Sequence, residues 1–261
     1  MTSSERSADR VPSKGRRTAF RVIAIIMAVS GIAFGLFTAV FGIIEESQEI
    51  HAFHNTVVAS LLLVLSAPAA IVAARDPEGS APALGHLTAV GIAGVVTMAL
   101  SLTPDPFTLP FVVLVAVLWI LRPGRDRPIP EGRPSPILLV LTLAAAVPLV
   151  AYALGQAELQ RIDDTTEHAE LFHWVETSFY AAAVLLLGLL SALRPAAYRL
   201  SAWTAGVALA VLGGGSLLLQ GHASTLDTPW AWAALGGGLL FAAVADWEAR
   251  GGAIFGRSVR P

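Results

Sequence analysis

The chain has 261 residues, 55% of them hydrophobic and 14% charged, with a formal net charge of −2 and no cysteine. A soluble domain carries about a quarter charged residues, so this composition argues against a soluble fold. The missing cysteines exclude disulfides, thiolate metal ligands and thiol redox chemistry.

Residues 1–18, rich in Ser and Arg, read as a disordered basic cytoplasmic tail. The first apolar block, about 20–44, is longer than the h-region of a signal peptide and lacks a small-x-small cleavage site, so it reads as an uncleaved helix. Seven further blocks follow, at about 53–74, 84–103, 107–121, 136–155, 171–193, 199–220 and 229–245. A helix needs roughly 20 apolar residues to cross the hydrocarbon core, and only helices satisfy the backbone of such blocks in lipid. The fourth block is the shortest, and Pro104, Pro106 and Pro110 crowd its start. The expectation is an all-α integral membrane protein with eight transmembrane helices. They fall into a first four-helix half at 19–122, a Pro/Arg linker at 123–135, a second half at 136–247 and a tail at 248–261.

Positive residues mark the cytoplasmic side. With the N-terminus inside and eight crossings, every Arg and Lys except Arg161 falls on inner segments. The outer segments carry acids (Glu45, Glu46, Glu49, Asp105, Glu158, Asp163, Asp164, Glu167, Glu170, Asp227) and the histidines His51, His54, His168, His173 and His222. Both termini are therefore expected in the cytoplasm. Arginine far outnumbers lysine in a chain rich in Ala and Gly, which points to a GC-rich bacterial genome and so to a bacterial plasma membrane. The N-terminal basic cluster reads as a topology signal or an anionic-lipid contact. Nothing in the chain supports nucleic-acid binding; the expected environment is the lipid bilayer.

The halves repeat the same order of parts. Laying "HAFHN" (51–55) on "ELFHW" (170–174) matches Phe53 with Phe172, His54 with His173 and His51 with Glu170. "TPDPF" (103–107) and "LDTPW" (226–230) then occupy equivalent outer turns. Four helices per half keep one orientation, so the repeat axis would run along the membrane normal. The triplets Gly213–Gly215 and Gly236–Gly238 are expected to let the last two helices pack closely at one depth.

Ionisable groups crowd the lip of the sixth block. His173, Glu176, Thr177 and Tyr180 are spaced to share one helix face, with Glu170 a turn above. His51, His54 and Asn55 make a shorter stripe on the second helix. A carboxylate such as Glu176 is costly in a bilayer and normally faces the bundle interior with a partner, His173 being nearest in sequence. The candidate site is thus His51, His54, Glu170, His173 and Glu176, with His168, Tyr180 and His222 secondary. His86 and His222 alone read as interfacial.

Three functions compete. The cluster is a packing network in a structural or assembly protein, which implies a membrane-protein partner. Alternatively it binds a divalent transition metal, which His and carboxylate donors suit, or a haem. Or it serves a proton- or ion-coupled transporter of a small solute. No phosphate-binding loop, dinucleotide fingerprint or nucleophile elbow occurs, so no residue is assigned as catalytic.

The histidine layout resembles that of haem A synthases, which have two four-helix halves with histidines in each. That family also uses histidines in the last helix of each half. The fourth and eighth helices here have none, so the resemblance does not carry that activity over. "TTEHAELFHW" (165–174) is similar to uncharacterised multi-pass proteins of actinobacteria, a resemblance that extends over most of the second half, including the inner end "DWEARGG", and implies class and compartment only.

Overall fold

The computed structural model describes residues 14–44, 51–125, 133–163, 166–193 and 197–250. Among them are helices and no strand. We label them α1 (Lys14–Ile44), α2 (Ala52–Arg75), α3 (Ala81–Ser101), α4 (Thr108–Leu121), α5 (Pro136–Ile162), α6 (His173–Leu193), α7 (Arg199–Leu218) and α8 (Thr228–Ala249). A single helical turn, Glu167–Glu170, precedes α6. Helix α1 starts at Lys14 and takes in the last five residues of the stretch read as a tail. The rest of that tail, Glu45, Glu46 and Glu49, most of the Pro/Arg linker, Asp164 and the tail beyond Arg250 lie outside the described residues.

Seven of these helices are long and apolar enough to cross a membrane: all but α4. Helix α4 has 14 residues, roughly 21 Å of rise against a hydrocarbon core of about 30 Å. Its late start has a local cause. Leu102 ends α3 in the left-handed conformation (φ 54°), and Pro104 and Pro106 keep the next residues out of a helix. Asp105 then accepts hydrogen bonds from the Phe107 and Thr108 amides (3.1 and 2.9 Å) and from the Thr108 hydroxyl, opening α4.

Helices α2, α3, α6 and α7 form the centre, and α1, α5 and α8 lie at the edge: 72% of the apolar window of α6 is buried, against 22% for α5. Helix α1 packs on α2 and α4, and α5 packs on α6 and α8; across the middle α2 meets α6 and α7, and α3 meets α6. The edge helices turn Ile25, Val29, Phe37, Val147 and Leu240 outward, the apolar exterior that lipid requires.

Close packing of α7 on α8 depends on glycine. A Cβ on Gly238 would sit 2.4 Å from the Gly206 carbonyl oxygen, and one on Gly213 would sit 2.4 Å from that of Ala231. The two triplets do not face one another: Gly213 meets Ala231 and Leu235, while Gly238 meets Gly206 and Ala210. The expected close approach is present, but the partners are staggered.

Arginines gather where α1 begins and α2 and α4 end. Arg16 donates to the carbonyls of Ile120, Leu121 and Arg122 (2.9, 3.1 and 2.8 Å), and Arg21 donates to that of Ala74 (3.1 Å). They cover carbonyls that a helix terminus leaves without partners. Within α2, Leu61–Ser66 is π-helical and ends two residues before Pro68, whose ring would press on an ordinary preceding turn. The Leu65 carbonyl there accepts from His86 Nε2 at 2.6 Å, which leaves Nδ1 to accept from the Ser201 hydroxyl at 2.9 Å. His86 is therefore a buried, fully engaged strut between α2 and α7.

Candidate metal centre

The opposite end of the bundle brings four histidines together from three places. His51 stands just before α2 and His54 in its first turn. His168 lies in the Glu167–Glu170 turn, and His173 opens α6. The ring centroids of His51 and His54 lie 4.6 and 4.8 Å from that of His168, and each lies 4.7 Å from that of His173. Ligand nitrogens of His51, His54 and His168 all fall within 4.8 Å of one another. His51, His54 and His173 are buried, and His168 is half-buried.

Each histidine holds one buried ring nitrogen without a hydrogen-bond partner: Nδ1 of His51, His54 and His173, and Nε2 of His168. Buried polar atoms in folded proteins nearly always have partners. Here four such atoms lie on four touching rings. The partnered sides of two rings fix this. Ser224 Oγ donates to Gln156 Oε1 at 2.6 Å, so it must accept from His54 Nε2, 3.0 Å away. The His54 proton is then on Nε2, and Nδ1 is a bare acceptor. His51 Nε2 faces Glu167 Oε2 at 3.4 Å, again leaving Nδ1 as the lone pair. Carboxylate or hydroxyl partners on the far nitrogen are how metal-binding histidines are oriented. Burial, and then His51 beside it, hold the His168 imidazole below the ordinary histidine pKa, while Asp163 and Glu167 act the other way.

The backbone is bent to make this arrangement. Three non-glycine residues among those described have positive φ, and two belong here: Phe172 (63°) joins the His168 turn to His173, and Ser224 (67°) supports His54. Such conformations cost about 1–3 kcal/mol each and persist where surrounding contacts hold them. Those contacts come from α5. Tyr152 donates to the Ser224 carbonyl (2.6 Å), and Gln160 donates to the Ala169 carbonyl (2.9 Å) and accepts from the Val175 amide (3.3 Å). Trp174 packs on His54 and His168 and donates to Asp163 Oδ2 at 3.0 Å.

Other residues singled out in the sequence lie apart from this centre. Glu170 is exposed, and Glu167 is the acid that meets the ring of His51. Glu176 is buried a turn below His173, yet no hydrogen bond or ion pair joins the two. Tyr180 is deeper still; it donates to the Ala208 carbonyl (2.8 Å) and shares a hydrogen bond with Ser60 (2.7 Å), tying α6 to α7 and α2. His222 lies in the α7–α8 turn with Nδ1 on the Leu219 carbonyl (2.9 Å). Tyr152, Gln156 and Gln160 were missed. Their spacing of four places them on one face of an apolar helix, a polar stripe that could have drawn attention to α5.

The donor set suits an ion. Imidazole nitrogens bind Zn, Cu, Ni or Fe, and no thiolate is available. A haem does not fit between His54 and His173. His54 and His173 are stacked with 8° between ring planes and 4.7 Å between centroids, which leaves no slot for a porphyrin.

No protein-family model, curated protein or solved structure matches this chain. The fold defines its class as a multi-pass helical membrane protein.

Proposed function

We propose that this protein binds a divalent transition-metal ion, of the Zn2+ or Cu2+ type, through His51, His54, His168 and His173. The observation that carries the reading is the convergence of four imidazoles, each with an unpartnered nitrogen, three of which have ligand atoms within 4.8 Å of one another. A tetrahedral Zn site has bonds of about 2.0–2.1 Å, which puts ligand nitrogens roughly 3.4 Å apart. The nitrogens of His51, His54 and His168 lie within 4.8 Å of one another, a spacing that side-chain rotation closes on an ion, and the His173 ring lies 4.7 Å from those of His51 and His54. Glu167 supplies negative charge beside the otherwise neutral ligands.

Holding the ion fits better than conducting it. Below the cluster, beside the buried Glu176, lie Phe53, Val57, Phe179 and Leu212 of the apolar core, and no second group of three donors occurs among the described residues. The membrane frame is part of the same proposal: α4 completes an eighth crossing, both termini are cytoplasmic in a bacterial plasma membrane, and the metal centre faces outward. Arginines at one end and histidines at the other support that orientation. The two-half repeat is supported by matched packing, with α1 on α2 and α4 in one half and α5 on α6 and α8 in the other.

Equilibrium dialysis against Zn2+ and Cu2+, followed by elemental analysis, tests the reading. One ion per chain is expected, lost in His54→Ala and His173→Ala variants that still elute as folded protein. A wild-type protein that stays empty at micromolar free metal contradicts it.

A further inference from the structure

A crevice of about 670 Å³ lies between α5 and α8, with α6 and α7 as its floor. It runs from Thr142, Gly188 and Phe241 to Tyr152, Asp227 and Trp230 at the histidine end. That volume falls within the range of small-molecule sites, about 300–1,000 Å³. We infer that it binds an ammonium-headed phospholipid, with an acyl chain along the crevice and the ammonium at Asp227 and Trp230.

The walls select the tail. Their polar groups are already engaged within the protein: the Thr142 hydroxyl donates to the Leu138 carbonyl (2.7 Å), Tyr152 to that of Ser224 (2.6 Å) and Thr225 to that of His222 (2.8 Å). The remaining lining is overwhelmingly aliphatic. A polar body would enter without hydrogen bonds, whereas an alkyl chain would lose none.

The rim selects the head. Asp227 occupies the N-cap position of α8, but its side chain makes no capping hydrogen bond. Trp230 follows three residues later on the same side of the helix and is 55% exposed. A carboxylate beside an indole face recognises an ammonium by charge and by cation–π attraction. The acid and the aromatic of the α3–α4 turn are occupied otherwise. Asp105 spends its carboxylate on capping α4, and Phe107 packs against Phe34 at 5.4 Å. The unengaged acid and aromatic thus occur on the half that has the crevice.

The test is competition. Protein in detergent is given equal amounts of phosphatidylethanolamine and phosphatidylglycerol with identical acyl chains, and retained lipid is counted by native mass spectrometry. Wild type is expected to retain the ethanolamine lipid about fivefold over the glycerol lipid, and Asp227→Asn to bring the ratio to parity. Gly237→Phe is expected to reduce retention of both. A Cβ at Gly237 meets nothing within 4 Å, so the bulk enters the crevice and not a helix contact, and an unchanged melting temperature confirms that the variant folds. Equal retention by wild type, or a preference that survives Asp227→Asn, overturns the inference. Capture of a free alkyltrimethylammonium without the ethanolamine lipid also overturns it.

Discussion

Ser224 stands 170 residues from His54 in the chain and 3.0 Å from its ring in the fold. Because Ser224 gives its own proton to Gln156, it fixes which nitrogen of His54 carries the lone pair. Its left-handed backbone is a conformation glycine adopts freely. Ser224→Gly therefore removes the hydroxyl and keeps the turn. The expected result is a loss of about 10–100-fold in Zn2+ affinity in a competition titration with a chromophoric chelator, without loss of fold. An unchanged affinity would show that the Ser224 hydroxyl does not orient the ligand.

Phe172 connects the His168 turn to His173 at φ 63°. Glycine at this position is expected to preserve the turn and the metal affinity. Valine, β-branched and ill-suited to that conformation, is expected to cost about 1–3 kcal/mol of stability and to weaken binding. Thermal unfolding and the same titration read both. Equal behaviour of the two variants would show that the left-handed turn is not required.

The α7–α8 contact predicts a contrast between neighbouring glycines. Gly238→Ala pushes a methyl group toward the Gly206 carbonyl, while Gly236→Ala meets nothing within 4 Å. The first is expected to lower stability by about 1–3 kcal/mol. The second is expected to be neutral or mildly stabilising, as alanine is the better helix former. Unfolding in detergent distinguishes them, and equal losses would contradict the staggered packing.

Topology can be tested cleanly because the chain has no cysteine. Single cysteines at Ser13 and Asp126 are expected to resist an impermeant maleimide on intact cells, and one at Ser47 to react. Labelling at Ser13 with none at Ser47 would reverse the orientation. Labelling at Asp126 together with Ser47 would remove α4 as a crossing.

Much of the architecture was legible because lipid imposes simple demands. Long apolar blocks must be helices, and seven of them have spanning length. His54 and His173 were visible as histidines at two helix starts, and in the fold their rings stack. The approach of His168 to His51 and His54 was harder to foresee, because it depends on the φ reversal at Phe172, which an aromatic residue does not advertise. Glu176 illustrates the opposite error. Its spacing from His173 suggested a hydrogen bond, but adjacency on a helix face does not fix where either side chain turns. The Ser224 support is a contact of very long sequence separation and has no local signature.

The most direct test of the metal centre is X-ray absorption at the zinc edge of protein loaded with one equivalent of Zn2+. The account predicts a first shell of nitrogen and oxygen only, at about 2.0–2.1 Å, with the multiple-scattering pattern of three to four imidazoles that falls by one imidazole in His168→Ala. A spectrum dominated by oxygen at longer distance, unchanged in His51→Ala, His54→Ala and His168→Ala, would place the ion elsewhere and contradict the account.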